Sequence, residues 1–384
     1  MSTPAEALRP RWRRGAHELD SLLDLDAPLD PEGVAGYLAW GHPAGRRSLR
    51  LGVQRVPFEI PVEPPDPDPR SLSIDARADR LWELLVQATR EPGWCTLSGG
   101  LDSRAVAAAA SVGEPRVLAT FGDPDCVDLP VARRVAAALG AQEHVVTELP
   151  GDAALRCEER VLRATGGLGG AASAPGAWTD DLWDAPRLYS GTSGDVIWGD
   201  TPRRGPSSPS RLRKLGVRTL PDPLESVPTP PSWCSDAGRA VWAELHTRQG
   251  RVTWLGALSR FPRTEVVPVP WTPGVLGFCL ALEKEDRRDR RLLRRMLARH
   301  APAASELPVV HGPVHDLDRA MATDPAWQDA LARMAGLDWG VSGLAARATR
   351  RLIRLVRTGA RPRAGLVARV RVLGVHAGLM EPGR

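Results

Sequence analysis

The chain has 384 residues, 42% of them hydrophobic and 25% charged, which predicts roughly two or three structural units and excludes wholesale disorder. The net charge is +5, and almost all of the positively charged residues are arginines. This balance favours anionic partners without identifying them. No run of about 18 apolar residues exists, and no apolar segment follows Arg13 and Arg14, so we expect a cytoplasmic protein without a membrane partner.

The first 70 residues predict a small N-terminal unit. Its last part, Ser48–Val56, alternates polar and apolar residues as a short strand or hairpin arm does. A proline-rich stretch over residues 57–69 then separates this unit from a main domain, which we place at residues 71–310.

The main domain alternates short buried strands with amphipathic helices. We predict helices from about Ser73 to Pro92, at Leu101–Ser111 and at Leu129–Leu139, with strands at Gly93–Leu97, Arg116–Phe121, Glu143–Leu149 and Arg187–Ser190. Parallel strands need helical crossovers, so this order predicts an α/β fold, with a parallel sheet flanked by helices.

The second half of the chain is less regular. Residues 201–233 are rich in proline and arginine and predict a mobile insertion, and the pattern from Ser235 onward is mostly helical. Residues 311–384 predict a basic helical tail, with ten arginines and one acidic residue, Glu381, in Leu344–Arg384. Such a tail is suited to hold an acidic peptide, although a solvated helical face has the same pattern. The five cysteines lack metal-site spacing and predict buried reduced thiols.

The segment with the clearest chemical meaning lies between the first strand of the main domain and the helix that follows. Two glycines allow the backbone to approach an anion closely, and the helix directs its positive end at the same point. Asp102 would repel phosphates unless it held a Mg²⁺ that bridges their oxygens. We therefore predict a nucleotide site made by Leu97, Ser98, Gly99, Gly100, Leu101, Asp102 and Ser103.

The S-G-G-x-D-S pattern of this loop is not a Walker loop and resembles that of the PP-loop ATP pyrophosphatases. With the segments that follow, residues 33–310 resemble the synthetase domain of the asparagine synthetase family, which includes β-lactam and lasso-peptide macrolactam synthetases. Segments elsewhere carry the resemblance too: Gly36–Leu38, Gly52–Pro57, Thr120-Phe121, Asp128, Ala132–Gly140, His144, Ser190–Asp195, Glu265 and Arg291–Arg294.

The resemblance implies roles for particular residues. It implies ATP binding by Thr120, Phe121, Ser190, Gly191 and Thr192, and Mg²⁺ held by Asp102 and Asp195, which two successive strand ends of a parallel sheet bring together. It also implies a catalytic role for Glu265. Where the family has a basic stretch with a lysine, this chain reads Val309 to Pro313, so His311 is our candidate replacement.

Other departures from the family concern acids and the N-terminus. The family's acidic pair after the second strand is Asp128-Leu129 here, and Thr192 and Val196 replace two acids. Only 97 residues precede Ser98, so we expect no glutaminase in this chain and an amine that is free, supplied by another protein or part of the substrate.

Three functions fit these patterns. The first is an ATP-dependent synthetase that activates a carboxylate, such as that of a precursor peptide, as an acyl-adenylate and forms an amide. The second is a PP-loop enzyme that adenylates an RNA base, although no nucleic-acid-binding module is recognisable in the sequence. The third is a non-catalytic scaffold, suggested by the lost lysine and acids.

Overall fold

A computed structural model describes residues 11–23, 25–170, 177, 179, 183–199, 224, 226–253, 264–310, 317–336 and 364–381. Its centre is a five-stranded sheet in which every neighbouring pair is parallel. The strands of the molecule are β1 Trp12–Arg14, β2 His17–Leu19, β3 Gln54–Arg55, β4 Trp94–Thr96, β5 Val117–Gly122, β6 Glu143–Glu148, β7 Arg187–Ser190 and β8 Glu265–Pro268. The central sheet has the order β6-β5-β4-β7-β8, which confirms the predicted α/β fold.

Helices pack against this sheet. They are α1 Pro31–Trp40, α2 Ile74–Ala88, α3 Leu101–Ala110, α4 Asp128–Ala138, α5 Ala153–Arg156, α6 Glu158–Ala164, α7 Gly194–Ile197, α8 Asp236–Glu244, α9 Pro273–Ala281, α10 Lys284–Arg287, α11 Arg291–His300, α12 Pro302–Ser305, α13 Leu317–Thr323, α14 Pro325–Gly336 and α15 Ala364–His376. Short 3₁₀ turns span Pro69–Ser71, Val269–Trp271 and Arg288–Arg290, and a π-helical segment spans Leu245–Thr253.

The start of α2 and the end of α4 show why the local predictions succeed. The Ser73 hydroxyl accepts a hydrogen bond from the Ala76 N–H and so caps α2. Gly140 follows α4 with a φ of +60°, a conformation that costs glycine little.

Successive side chains of each strand point to opposite faces of the sheet. Cys95, Leu118 and Tyr189 face the main core. Their neighbours Ala119 and Leu188 face a smaller cluster around Trp183. Both faces are therefore buried, as expected for parallel strands between helices.

One strand of the sheet was not predicted. Strand β8 contains Pro268, and prolines lack the N–H that a ladder needs, so its pattern does not suggest a strand. The position at the edge of the sheet next to β7 tolerates that proline, because one side of an edge strand needs no partner.

The first 70 residues contribute a three-stranded antiparallel sheet in the order β2-β1-β3, together with α1. Their buried side chains belong to the same core cluster as those of the central sheet. The Trp12 indole donates to the Gly166 carbonyl at 3.2 Å, and the Tyr37 hydroxyl donates to the Leu168 carbonyl at 2.6 Å.

The C-terminal part is packed on the rest of the molecule wherever the structure describes it. In α15 the Arg371 guanidinium forms a fully buried ion pair with Glu158 of α6. The residues between 337 and 363, which hold much of the predicted basic tail, and most of the predicted insertion at 201–233 lie outside the described residues.

The cysteines and the helix lengths bear on two further expectations. All five cysteines are buried and free, which confirms the prediction of reduced thiols. Within the described part of the chain, no helix has the length and apolar character needed to span a bilayer.

Candidate functional site

The loop between β4 and α3 is held together by its own serines. The Ser98 N–H donates to the Ser103 hydroxyl at 3.0 Å, the two hydroxyls lie 2.8 Å apart, and the Gly100 N–H donates to the Ser98 hydroxyl at 3.2 Å. The N-cap residue of α3 is Gly100, which has no side chain to cap the first turn. The N–H groups of that turn are therefore the donors that the loop presents for an anion.

Gly99 departs from the expected role. Its N–H donates to the carboxylate of Asp128 at 2.8 Å, so this donor supports the loop from inside the protein and does not face a ligand. A Cβ atom at position 99 would lie 2.1 Å from a methyl carbon of Val310 and 2.7 Å from the Asp128 carboxylate. Glycine is required here because the chain beyond α12 packs directly on the loop.

Arg104 joins the loop to this later segment. Its side chain is fully buried in α3 and donates to the carbonyl oxygens of Gly99, Ala304, Leu307 and Pro308. The Val310 N–H also donates to the Gly99 carbonyl, at 3.2 Å. The segment that begins at Glu306 therefore runs beside the loop, and it leads directly to the predicted residue His311, which lies outside the described residues.

The second predicted loop, Ser190–Asp195, meets the first at the carboxyl edge of the sheet. The Ser190 and Thr192 hydroxyls lie 2.6 Å apart, and the Thr192 N–H donates to the Ser190 hydroxyl at 3.2 Å. A Cβ atom on Gly191 would lie 2.8–2.9 Å from backbone atoms of Asp102 and Ser103. The two loops therefore touch through their backbones.

Asp102 is the point at which several elements converge. Its Oδ1 atom accepts from the Trp198 indole at 2.6 Å and from the Arg290 guanidinium at 2.5 Å. Burial raises the pKa of Asp102, Arg290 and Trp198 oppose that rise, and the nearby charge of Asp195 adds to it. Asp195 itself is exposed, and its effect on Asp102 places the two predicted acidic residues near one another.

Arg290 reaches Asp102 through an unusual backbone. Arg290 and the preceding Asp289 have φ angles of +57° and +51°, a conformation that is rare for residues with a side chain. These two residues turn the chain between α10 and α11 so that the Arg290 side chain points toward the loop. Neither Arg290 nor Trp198 was predicted as a site residue, because nothing in their local sequence indicates a contact with Asp102, 188 and 96 residues away.

Thr120 and Phe121 lie on β5, beside the loop. The Thr120 hydroxyl donates to the Leu97 carbonyl at 2.8 Å and lies 2.8 Å from the His144 ring. The Phe121 ring packs against Trp183, with the ring centres 6.0 Å apart. Both predicted residues are therefore near the carboxyl edge, with side chains that support the sheet.

Glu265 lies elsewhere. It is the first residue of β8, pairs with Arg187 at the start of β7, and forms an ion pair with that arginine at 2.7 Å. In a parallel sheet this is the amino edge, about 10 Å from the carboxyl edge at 3.3 Å per residue. The structure does not bring Glu265 to the loops, so its position gives no support to the predicted catalytic role.

Comparison with known families gives one match. Residues 84–184, from within α2 to just before β7, match the asparagine synthase family. This family consists in general of ATP-dependent C–N ligases, and the match supports that broad class for this chain. The matched range includes the Ser98 loop and Asp128, whereas Asp195, Arg290 and Val310 lie beyond it. No curated protein matches the chain.

Proposed function

We propose that the protein activates a carboxylate with ATP, forming an acyl-adenylate and pyrophosphate, and then transfers the acyl group to an amine with release of AMP. The observation that carries this proposal is the meeting of two loops from neighbouring strands at the first turn of α3, with Asp102 between them. The family match at residues 84–184 supports the coarser class of ATP-dependent, amide-forming synthases.

The triphosphate would lie at the N-terminal turn of α3. The N-cap residue there, Gly100, has no side chain to cap the N–H groups, and the helix dipole favours a negative charge at that end. The Gly191 backbone packs against Asp102, so the second loop closes one side of this position. The residues of both loops then orient the α-phosphorus toward the attacking carboxylate oxygen.

Arg290 supplies a positive charge at the same position. The side chain is 17% exposed, so its charge is poorly screened by water. Negative charge develops on the pyrophosphate as it leaves, and a guanidinium that is already in place stabilises it without reorganisation. In the family that this chain resembles, a lysine lies in the segment that corresponds to Val309–Pro313. Arg290 would supply the positive charge of that lysine in this chain.

A Mg²⁺ ion fits the two acidic residues in part. Sites for Mg²⁺–nucleotide complexes usually take one or two carboxylates, with phosphate oxygens and water as the other ligands. Asp102 and Asp195 provide two carboxylates, and the described residues contain no group of three or more potential ligands. The metal would screen the phosphates, while Asp102 would exchange part of its contact with Arg290 for the metal.

The test is the chemistry of the products. Incubation with ATP, Mg²⁺, hydroxylamine and a panel of carboxylic acids should give AMP, pyrophosphate and a hydroxamate, because hydroxylamine traps activated carboxyl groups. ADP in place of AMP would contradict α-phosphorus attack. ATP binding without any turnover across the panel would favour a non-catalytic scaffold.

A further inference from the structure

Two arginines are buried together where the N-terminal unit packs on the π-helical segment. Arg55 in β3 and Arg251 in the π-helical segment are each only 5% exposed. Their charges interact, since Arg251 adds to the effect of burial in lowering the pKa of Arg55. Two like charges in one low-dielectric region repel each other, so their placement needs a compensating interaction.

No carboxylate provides that compensation within the described part of the chain. Arg251 donates to the carbonyl oxygens of Pro43, Gly45 and His246 and to the Ser226 hydroxyl, all of them neutral acceptors. Arg55 lies 5.2 Å over the Phe58 ring, and its buried Nε atom has no hydrogen-bond partner in the described structure. Arginine does not lose its proton in proteins, so both residues remain charged.

The histidines nearby are also not counter-ions. Burial is the main cause that lowers the pKa of His42 to about 3 and that of His246 to about 4, so both rings are neutral at pH 7. The Nε2 atom of His246, the Nε atom of Arg55 and the indole nitrogen of Trp40 are buried without a partner. Unpaired buried polar atoms of this kind are costly, so we expect a water, an ion or a ligand group to pair with them.

The position of the pair relative to the loops indicates the ligand. Gln249 lies two residues before Arg251 in the π-helical segment, and its side chain accepts from the Ser193 hydroxyl at 2.9 Å. Ser193 belongs to the second loop and has a φ of +65°. Arg251 is therefore linked through one short segment to the loop that carries Asp195.

We propose that Arg55 and Arg251 bind a carboxylate group of the substrate, distinct from the carboxylate that is activated. A guanidinium presents two parallel N–H donors that match the two oxygens of a carboxylate, and the Nε donor of Arg55 is buried without a partner. The anion would neutralise the buried charge and hold the substrate against the second loop. That this ligand is the substrate rests on the proposed function; that the pair binds a carboxylate does not.

The test is the thermal stability of the full-length protein in the absence of ATP. Succinate should raise the Tm of the wild type in a saturable way, beyond the effect of NaCl at the same ionic strength. Arg55→Met should weaken succinate binding about 10- to 100-fold, the usual effect of losing hydrogen bonds to a charged group. The control is Arg90→Met, since Arg90 is 72% exposed and pairs with Glu91; it should bind succinate like the wild type.

A second variant covers the case in which Arg55→Met does not fold. Arg55→Lys keeps the charge but lacks the planar pair of donors, and we expect weaker succinate binding in a folded protein. Succinate effects equal to those of NaCl, equal effects in wild type and Arg55 variants, or tighter binding of phosphate than of succinate would each overturn the proposal. Succinate binding, together with no AMP formation from ATP across the panel of carboxylic acids, would leave this site in place and contradict the proposed function instead.

Discussion

Asp102 combines burial with contacts to a cation and an indole, and this predicts an unusual pH dependence. The pKa of Asp102 is raised in the folded protein, mainly by burial, from an ordinary value of 3.8. Above that value the unfolded chain has released its proton while the folded protein still holds it. The contribution of Asp102 to stability therefore falls as the pH rises through the folded-state pKa.

Asp102→Asn should remove this loss. We expect the free energy of unfolding of the variant, relative to the wild type, to increase from about pH 4 upward, by about 1.4 kcal/mol for each unit by which the pKa is raised. Urea unfolding at several pH values measures it. The control is Asp329→Asn, because Asp329 is exposed and pairs with Arg333 on α14. A variant that loses stability relative to the wild type as pH rises would show that Asp102 stabilises the fold.

Arg290 allows a second prediction for a single residue. Arg290→Met should lower the rate of ATP–pyrophosphate exchange about 100- to 1000-fold, the usual effect of removing one group that stabilises developing charge. Arg290→Lys should retain more activity because it keeps the charge. Arg288→Met is the matched control, since Arg288 is exposed and pairs with Glu285. Equal exchange rates in the Arg290 and Arg288 variants would remove Arg290 from the mechanism.

The contact between β7 and α3 predicts an effect at the scale of the element. Gly191→Ala would place a Cβ atom within 3 Å of the backbone at Asp102 and Ser103, where neither element can move alone. We expect a loss of stability of about 1–3 kcal/mol, typical of overpacking, together with weaker ATP binding.

The control for that change is another glycine. A Cβ atom on Gly274, in the first turn of α9, would lie 3.4 Å from the Leu84 side chain, an ordinary contact. Gly274→Ala should be neutral or slightly stabilising because alanine favours the helix. Urea unfolding compares the two variants, and similar results for both would mean that the loops are not in close contact.

The elements differ in how well the sequence predicts them. Strands β4 to β7 and helices α3 and α4 were predicted within one or two residues, as was the start of α2, because apolar periodicity, glycines and capping residues mark their ends. Helix α2 ends at Ala88, a few residues before Pro92, where its end was expected. Strand β8 was not predicted, because Pro268 conceals it. Arg104 illustrates a further limit: an arginine in a helix is normally exposed, and only the carbonyl groups of the chain beyond α12 explain its burial.

The candidate functional site was likewise predicted only in part. The Ser98 loop and the second loop could be found from glycine and acid spacing, since the relevant residues are close in sequence. Asp128, Trp198 and Arg290 contact the first loop from distant parts of the chain, and no local pattern reveals such contacts. Glu265 was expected at the site but lies at the opposite edge of the sheet, because its distance along the strand could not be judged without the start of β8.

At the scale of the whole molecule, the C-terminal helix α15 is part of the fold. Arg371 and Glu158 are both completely inaccessible to solvent, and Arg371→Met would remove the cation that pairs with this buried carboxylate. We expect a loss of about 3–5 kcal/mol in the free energy of unfolding. The double variant Glu158→Met with Arg371→Met should recover most of this loss. Urea unfolding of both variants measures the difference, and an equal loss in the two would show that the ion pair is not the cause.

The most direct measurement is equilibrium binding of ATP with and without Mg²⁺, by calorimetry, which needs no knowledge of the carboxylate or amine. The wild type should bind ATP more tightly with Mg²⁺, and Asp102→Asn should lose about tenfold or more of that Mg²⁺-dependent affinity, a change of about 1.4 kcal/mol. Asp329→Asn should bind as the wild type does. Equal Mg²⁺-dependent affinity in the wild type and Asp102→Asn, or no ATP binding at all, would contradict a triphosphate site at the start of α3.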